Sequence, residues 1–229
     1  MRDLDGWTIL FDLDGTLVDS APDLIGTLNR MLALKGLPPV PVSSARHLVG
    51  HGARALLRHG FQEAGSTWDE AAEPELFDRF IADYVENIAA HTRPFPAVVE
   101  TLEELSTRGA TLVVATNKRT DLSLALLDAL DLTRRFALVA GPDRVSARKP
   151  DAAHILDALK IVGGDPARAV MVGDASTDTG AARAAGVPSI LCTFGYNDRP
   201  PQELGADVML DDWSGFEAAL AAARRLCRS

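Results

Sequence analysis

Asp12 and Asp14 stand one residue apart at the end of the apolar run Ile9-Leu10-Phe11, and Gly15 and Thr16 follow at once. Such a run reads as a buried strand that stops where two carboxylates begin. Side chains alternate along an extended chain, so Asp12 and Asp14 can face one side and Leu13 the other. Two acids that close raise each other's pKa unless a cation lies between them, which implies a shared proton or a bound metal. Gly15 lets the chain turn sharply. On this run alone a strand ending in an acidic surface turn remains the plain alternative.

Further polar groups follow later apolar runs. Thr116-Asn117-Lys118 comes after the run ending at Ala115. A hydroxyl with backbone N–H groups at a strand end suits phosphate oxygens, although Thr-Asn also caps helices. Lys149-Pro150 closes a loop after Ala147-Arg148; a lysine there is commonly just solvated, but Pro150 can open a helix and fix where Lys149 points. Gly173-Asp174-Ala175-Ser176-Thr177-Asp178 follows Met171-Val172 and puts two more carboxylates at a strand terminus. Asp174 or Ser176 can equally serve there as a helix cap.

The elements that must position these groups fall into two patterns. From Ser20 to about residue 110 no strand-like patterning occurs. Helical spacing predicts helices over Asp23–Gly36, from Val42 through Leu48, over Ala53–Ala64 and over Trp68–Ala90, with Pro74 a point at which the last can divide into two pieces. Gly50-His51-Gly52 breaks the second from the third, and Arg46, His47, His51 and Arg54 cluster around that break. A Gly-flanked break can bring backbone close to a ligand, while a plain turn with solvated basic residues is an equal alternative. Arg93-Pro94-Phe95-Pro96 marks the way back.

Beyond it helices and apolar strands alternate. Helices are expected over Ala97–Arg108, Asp121–Leu130, Ala152–Leu159, Ser176–Ala185 and from Trp213. Strands are expected over Thr111–Thr116, Phe136–Ala140, Ala169–Val172, Pro188–Cys192 and Ala206–Leu210. Such alternation predicts an α/β fold, a doubly wound parallel sheet with helices on both faces, interrupted by an all-helical insertion. Ligands in these sheets bind at the carboxyl ends of the strands, where each polar group above is placed.

Composition narrows the class of partner. In 229 residues, 47% hydrophobic, 23 basic against 32 acidic side chains give a net charge of -9 with no basic block. That argues against nucleic acid or an anionic membrane as partner, not against a small anion held by local cations. Cys192 and Cys227 lie far apart without metal-ligand spacing, and no apolar run approaches membrane-spanning length. A reduced, cytoplasmic setting is the expectation.

Order and kind of these groups resemble the four motifs of the haloacid dehalogenase superfamily, whose phosphatases carry Asp-x-Asp-Gly-Thr/Val. The resemblance covers almost the whole chain. It implies that Asp12 is the nucleophile and Asp14 the general acid/base, and that Thr116 and Asn117 hold phosphoryl oxygens beside Lys118. It further implies that Lys149 neutralises nucleophile and phosphate, and that Asp12, the Asp14 carbonyl and Asp174 ligate Mg2+. Asp178 is expected to orient metal waters or Lys149 from behind. Residues 19–93 resemble the helical C1-type cap, which leaves residues 1–18 and 94–229 as a Rossmann-like core. Gly50, His51 and Gly52 are expected to form its specificity loop, with Arg46 as partner for a substrate anion.

Asp-Gly-Thr-Leu-Val-Asp-Ser from residue 14, Val49-Gly50-His51-Gly52, Thr116-Asn117-Lys118 and Gly195-Tyr196 with Leu204-Gly205-Ala206-Asp207 resemble the bacterial phosphoglycolate phosphatase group. The implied substrate is 2-phosphoglycolate, and the implied assembly a monomer or homodimer. Ala97 and Ala175 depart from the group's usual Gly and Ser without removing a proposed catalytic group. Relatives with the same motifs act on pyrophosphate, sugar phosphates, muramic acid phosphate or nucleotides, and a β-phosphoglucomutase-like transferase keeps all four motifs. A phosphonatase would need a cap lysine, and Lys35, alone in the insertion, lies outside the Gly-His-Gly break. A non-catalytic binding protein would ordinarily have lost Asp12, Asp14, Lys149 or Asp174.

Overall fold

The computed structural model describes residues 2–227, with the side chain of His51 outside the described residues. Strand β1 (Thr8–Phe11) runs at the centre of a parallel six-stranded sheet. After the two-residue β2 (Val18–Asp19) come helices α1 (Ala21–Leu34), α2 (Val42–Ala45), α3 (Ala53–Glu63) and α4 (Pro74–Glu86). The short β3 (Arg93–Pro94) closes this excursion by pairing antiparallel with β2. Then follow α5 (Val98–Thr107), β4 (Thr111–Ala115), α6 (Thr120–Ala129), β5 (Leu138–Ala140), α7 (Ala152–Val162) and β6 (Ala169–Gly173). The chain ends with α8 (Ser176–Ala185), β7 (Ser189–Cys192), β8 (Val208–Leu210) and α9 (Phe216–Leu226).

Strand order is β5-β4-β1-β6-β7-β8, so the chain reverses direction across the sheet on the two sides of β1. A crevice opens at such a reversal, beyond the carboxyl ends of β1, β4 and β6. Both faces of the sheet are covered: Ile9 and Phe11 pack into one cluster and Leu10, Val113 and Met171 into the other. Phe11 meets Trp213 and Phe216 at centroid distances of 6.1 and 6.2 Å, which seats α9 under β1. Each such fully buried large side chain contributes about 1.5–3 kcal/mol.

Differences from the sequence expectations have local causes. The long helix expected from Trp68 begins only at Pro74, which has no N–H to offer and sits in the first turn. Upstream, Asp69 accepts from the Ala71 N–H at 2.9 Å and Trp68 is buried, so the segment is held by a turn and an anchor. Asn87 ends the helix, its Nδ2 donating to the Asp83 carbonyl at 2.9 Å. The helix expected from Val42 through Leu48 divides at Arg46 into α2 and a tighter turn, Arg46–His51. The β2–β3 pair was not legible, because two residues carry no periodicity. Ala97, at the start of α5, holds φ at +66°, a left-handed conformation that glycine adopts more readily.

Candidate active site

The last rung between β1 and β6 is the Asp12 N–H donating to the Val172 carbonyl at 2.8 Å. Immediately beyond, the Leu13 carbonyl accepts from the Leu17 and Val18 N–H groups at 3.0 and 3.1 Å, and the chain coils. Asp12 and Asp14 therefore do not alternate along a strand, and they meet different partners. Gly15 makes the coil possible at φ +83°; a Cβ there would meet the Asp174 carboxylate and, at 2.8 Å, the Tyr196 ring. Gly15→Ala is expected to lower stability by about 1–3 kcal/mol through strain and overpacking. Urea unfolding reads this directly, and a change below about 0.5 kcal/mol would contradict the packing described.

Asp12, Asp174 and Asp178, all buried, each bring an oxygen within 4.8 Å of the others. One ammonium faces them: Lys149 Nζ lies 3.1 Å from Asp12 Oδ1 and 2.6 Å from Asp178 Oδ1, with its side chain only 1% exposed. Burial pushes the Asp12 carboxyl up to about 6; Lys149 opposes the rise, and Asp178 and Asp14 add to it. Burial likewise holds Asp174 well above the ordinary carboxylate range, with Asp178 and then Asp12 adding to the rise. For Lys149 burial works against the charge, but Asp12 and Asp178 outweigh it and the pKa is raised. Three carboxylates against one cation is an arrangement that a further cation would relieve.

Supporting contacts divide the labour. Asp178 Oδ2 accepts from the Asp174 and Ala175 N–H groups at 3.0 and 2.9 Å, so its two oxygens are occupied by the start of α8 and by Lys149. Asp174 is fixed by Thr16 Oγ1, donating to Oδ1 at 2.8 Å, and by the Tyr196 N–H, donating to Oδ2 at 2.7 Å. On Asp12 the Leu13 N–H at 2.8 Å and the Lys149 ammonium both fall on Oδ1. Among the described residues nothing donates to Oδ2.

Asp14 sits apart from this cluster. Ser20 Oγ donates to its Oδ1 at 2.5 Å, and Lys118 Nζ lies 3.2 Å from both oxygens. Lys118 also donates to the Tyr84 hydroxyl of α4 at 2.7 Å, which ties the helical insertion to the sheet. Burial raises the Tyr84 phenol to about 12. Burial opposes the Lys118 charge too, yet Asp14 and Tyr84 hold its pKa above the ordinary value.

Thr116, buried at the end of β4, accepts from the Lys118 N–H on its Oγ1 at 3.2 Å. Asn117 does something sequence reasoning did not foresee. Its Oδ1 accepts from the Lys149 N–H at 2.9 Å and its Nδ2 donates to the Lys149 carbonyl at 3.1 Å. Both ends of that amide clamp the backbone carrying the buried ammonium. Above these groups lies a pocket of about 250 Å³, lined by Asp12, Asp14, Thr116, Asn117 and Lys118. Gly50, Gly52, Arg54 and Tyr84 of the insertion form its opposite wall. Arg46 is not brought there: its guanidinium stands 3.6 Å from Asp19 and 4.8 Å over the Tyr196 ring. Lys35 is paired with Glu73 at 2.7 Å.

Residues 9–192 match the model of the haloacid dehalogenase-like hydrolases. The chain belongs to that family. It is 53% identical over 210 residues to a phosphoglycolate phosphatase of Caulobacter vibrioides, covering 92% of this chain and 89% of that one. A phosphoglycolate phosphatase of Agrobacterium fabrum is 46% identical over 92% of this chain and 91% of its own. Among solved structures, one from Haemophilus somnus described as a predicted phosphoglycolate phosphatase superimposes with a TM-score of 0.86 at 30% identity, covering 94% of this chain and 97% of that one.

Within this hydrolase the buried acids fit a divalent metal: oxygen donors alone, in charge excess. Thr16, Ser20, Tyr84 and Tyr196 were not singled out from sequence as site residues. Thr16 and Ser20 could have been suspected, as hydroxyls next to acids in the first motif. Tyr84 gave no signal beyond a phenol on an apolar helix face.

Proposed function

We propose that this hydrolase is a Mg2+-dependent phosphomonoesterase that acts through an aspartyl-phosphate on Asp12 and removes phosphate from 2-phosphoglycolate. The observation that carries this reading is an Asp12 that lines a small pocket with its Oδ2 free of donors among the described residues, with Lys149 on the other oxygen and a second acid, Asp14, held separately at the wall. The names of the relatives in Caulobacter and Agrobacterium supply the substrate. Asp12, Asp174 and the Asp14 carbonyl would hold the Mg2+, which when bound offsets the charge of the phosphate dianion.

Asp12 Oδ2 forms a bond to phosphorus as the bond to the glycolate oxygen breaks. Asp14 gives its proton to that leaving alkoxide, then takes one from the water that attacks the aspartyl-phosphate, which restores both carboxyls. Thr116 and the backbone N–H groups after β4 hold the phosphoryl oxygens. Asn117 keeps Lys149 in place. Asp14 also argues for a phosphatase over a dehalogenase, since a halide leaves without a proton. Residues 19–93 act as a cap over the pocket, with Tyr84 and Lys118 as the contact that closes it. The free thiols Cys192 and Cys227 fit a reduced cytoplasm, and among the described residues no helix is long and apolar enough to cross a membrane.

The deciding experiment is phosphate release, with Mg2+ and with EDTA, across 2-phosphoglycolate, pyrophosphate, sugar phosphates and nucleoside monophosphates. A kcat/KM for 2-phosphoglycolate far above the rest and lost with EDTA supports the reading; a flat panel removes the substrate from it. Asp14→Asn is expected to slow 2-phosphoglycolate by about 10²- to 10⁴-fold and p-nitrophenyl phosphate much less, because nitrophenolate hardly needs an acid. Equal losses on both esters would contradict the assigned role.

Metal binding makes a stability prediction as well. Asp12 is raised in the folded chain from an ordinary 3.8 to about 6, so the metal-free protein binds the extra proton between those values. Its contribution to stability falls as pH rises through that window. Mg2+ needs the carboxylate, so its effect runs the other way. At about ten to one hundred times its Kd it is expected to add about 1.4–2.7 kcal/mol at pH 8 and clearly less at pH 5. Thermal unfolding with and without EDTA measures this, and an equal gain at both pH values would refute it.

A further inference from the structure

The pocket has four cations on its wall: Arg54, Lys118, Arg119 and Arg148. Most are already matched. Arg54 Nε lies 2.5 Å from Glu70 and its guanidinium stacks 3.9 Å over Phe77, which commits it to the packing of α3. Lys118 is held between Asp14 and Tyr84. Arg119 pairs with Asp121 at 2.7 Å. Arg148 differs: among the described residues its guanidinium makes no hydrogen bond and no ion pair.

Its main chain, by contrast, is well held. The Arg148 carbonyl accepts from the Asp151 N–H at 3.0 Å, and Lys149 next to it is clamped on both sides by Asn117. Arg148, its guanidinium unmatched, thus lines a pocket that must admit an anion, one residue from the lysine that faces the nucleophile. A planar guanidinium presents paired N–H donors in the geometry a carboxylate accepts, which an ammonium does not.

We propose that Arg148 is a specificity-determining residue that receives the carboxylate of the substrate, the anionic group beyond the phosphoester bond. The inference rests on the reading of this site as a phosphatase for a small acid-bearing phosphate ester. It replaces Arg46, which is engaged with Asp19 and Tyr196, as the residue that reads the second charge. The phosphoryl group goes to Lys149, Thr116 and Asp12, and the carboxylate to Arg148. Esters without the second anion leave the guanidinium in water and gain nothing from it.

The test compares 2-phosphoglycolate with ethyl phosphate, which keeps the ester and the two carbons but has a methyl group for the carboxylate. Kinetics are measured for the wild type, Arg148→Gln and Arg148→Lys, all with Mg2+. In Arg148→Gln the kcat/KM for 2-phosphoglycolate is expected to fall by about 10- to 100-fold, mainly through KM. The fall for ethyl phosphate is expected to stay within about threefold. Arg148→Lys, which keeps the charge but not the fork, recovers part of the difference. A wild-type preference that survives in Arg148→Gln overturns this proposal and leaves the phosphatase reading standing, and equal falls on both esters do the same by making Arg148 a support for Lys149. A wild type without preference for the acid-bearing ester overturns the proposed substrate and this inference together.

Discussion

Asp12→Asn is expected to lower kcat by at least about 10⁴-fold, because the step it removes is the formation of the covalent intermediate itself. The asparagine side chain fills the same space and keeps an oxygen for the Leu13 N–H. Only the charge and the attacking oxygen are lost. The variant also makes an unusual stability prediction. Asp12 is a carboxylate whose ionisation burial opposes, with Asp178 and Asp14 adding repulsion and Lys149 and then the Leu13 N–H pulling the other way. Above pH 6 in EDTA, Asp12→Asn is therefore expected to be at least as stable as the wild type. Phosphate release by a clean preparation would remove Asp12 as the nucleophile, and a loss of metal-free stability would contradict the charge excess described for the cluster.

Lys149→Met should be the next most damaging change, with a fall of about 10²- to 10³-fold in kcat/KM and a loss of about 3–5 kcal/mol in stability. Methionine can follow much of the stem, but it leaves Asp12 and Asp178 without the ammonium that lies within 3.1 and 2.6 Å of them. Breaking a buried pair by removing one partner costs more than the pair is worth, since the other partner stays desolvated. The sign of the pH dependence follows. Lys149 has a raised pKa, so in the wild type its contribution is complete throughout the neutral range and is lost only as pH rises through that raised value. In the variant the stranded acids lose the ammonium that lowers the Asp12 pKa and bind protons more readily in the folded state, so stability should recover as pH falls from 8 to 5. Denaturant unfolding of the metal-free variant at pH 8 and pH 5, alongside turnover, tests both halves. Near-wild-type turnover, or a variant more stable at pH 8 than at pH 5, would not be compatible with the role of Lys149.

The sheet was legible because a buried parallel strand has little choice of composition. Runs such as Leu112-Val113-Val114-Ala115 and Val170-Met171-Val172 are apolar on both faces, and each ends where a polar group begins. The positions of Asp12, Thr116 and Asp174 follow from that sheet, since residues just past neighbouring parallel strands must come together. What those residues touch was less legible. The separation of Asp14 from Asp12 depends on a coil closed by hydrogen bonds to the Leu13 carbonyl, which no pattern of hydrophobicity encodes. Asn117 reads equally well as a phosphate ligand or as a clamp on Lys149, because the partner lies 32 positions away in sequence. In the insertion, Arg46 and Arg54 look alike as basic residues near Gly50-His51-Gly52, yet only Arg54 reaches the pocket wall. Turn geometry decides between them.

The claim on which the rest depends is that the phosphoryl group passes through Asp12, and the stereochemical course at phosphorus tests it most directly. The substrate for this is the phosphorothioate analogue of 2-phosphoglycolate, made chiral with oxygen isotopes and hydrolysed by the Mg2+-loaded protein in isotopically labelled water. Each in-line displacement inverts phosphorus. Transfer to Asp12 followed by attack of water gives two inversions and therefore net retention in the released thiophosphate. Net inversion would mean that water attacks the ester directly, and Asp12 would then have to be reassigned from nucleophile to metal ligand or base.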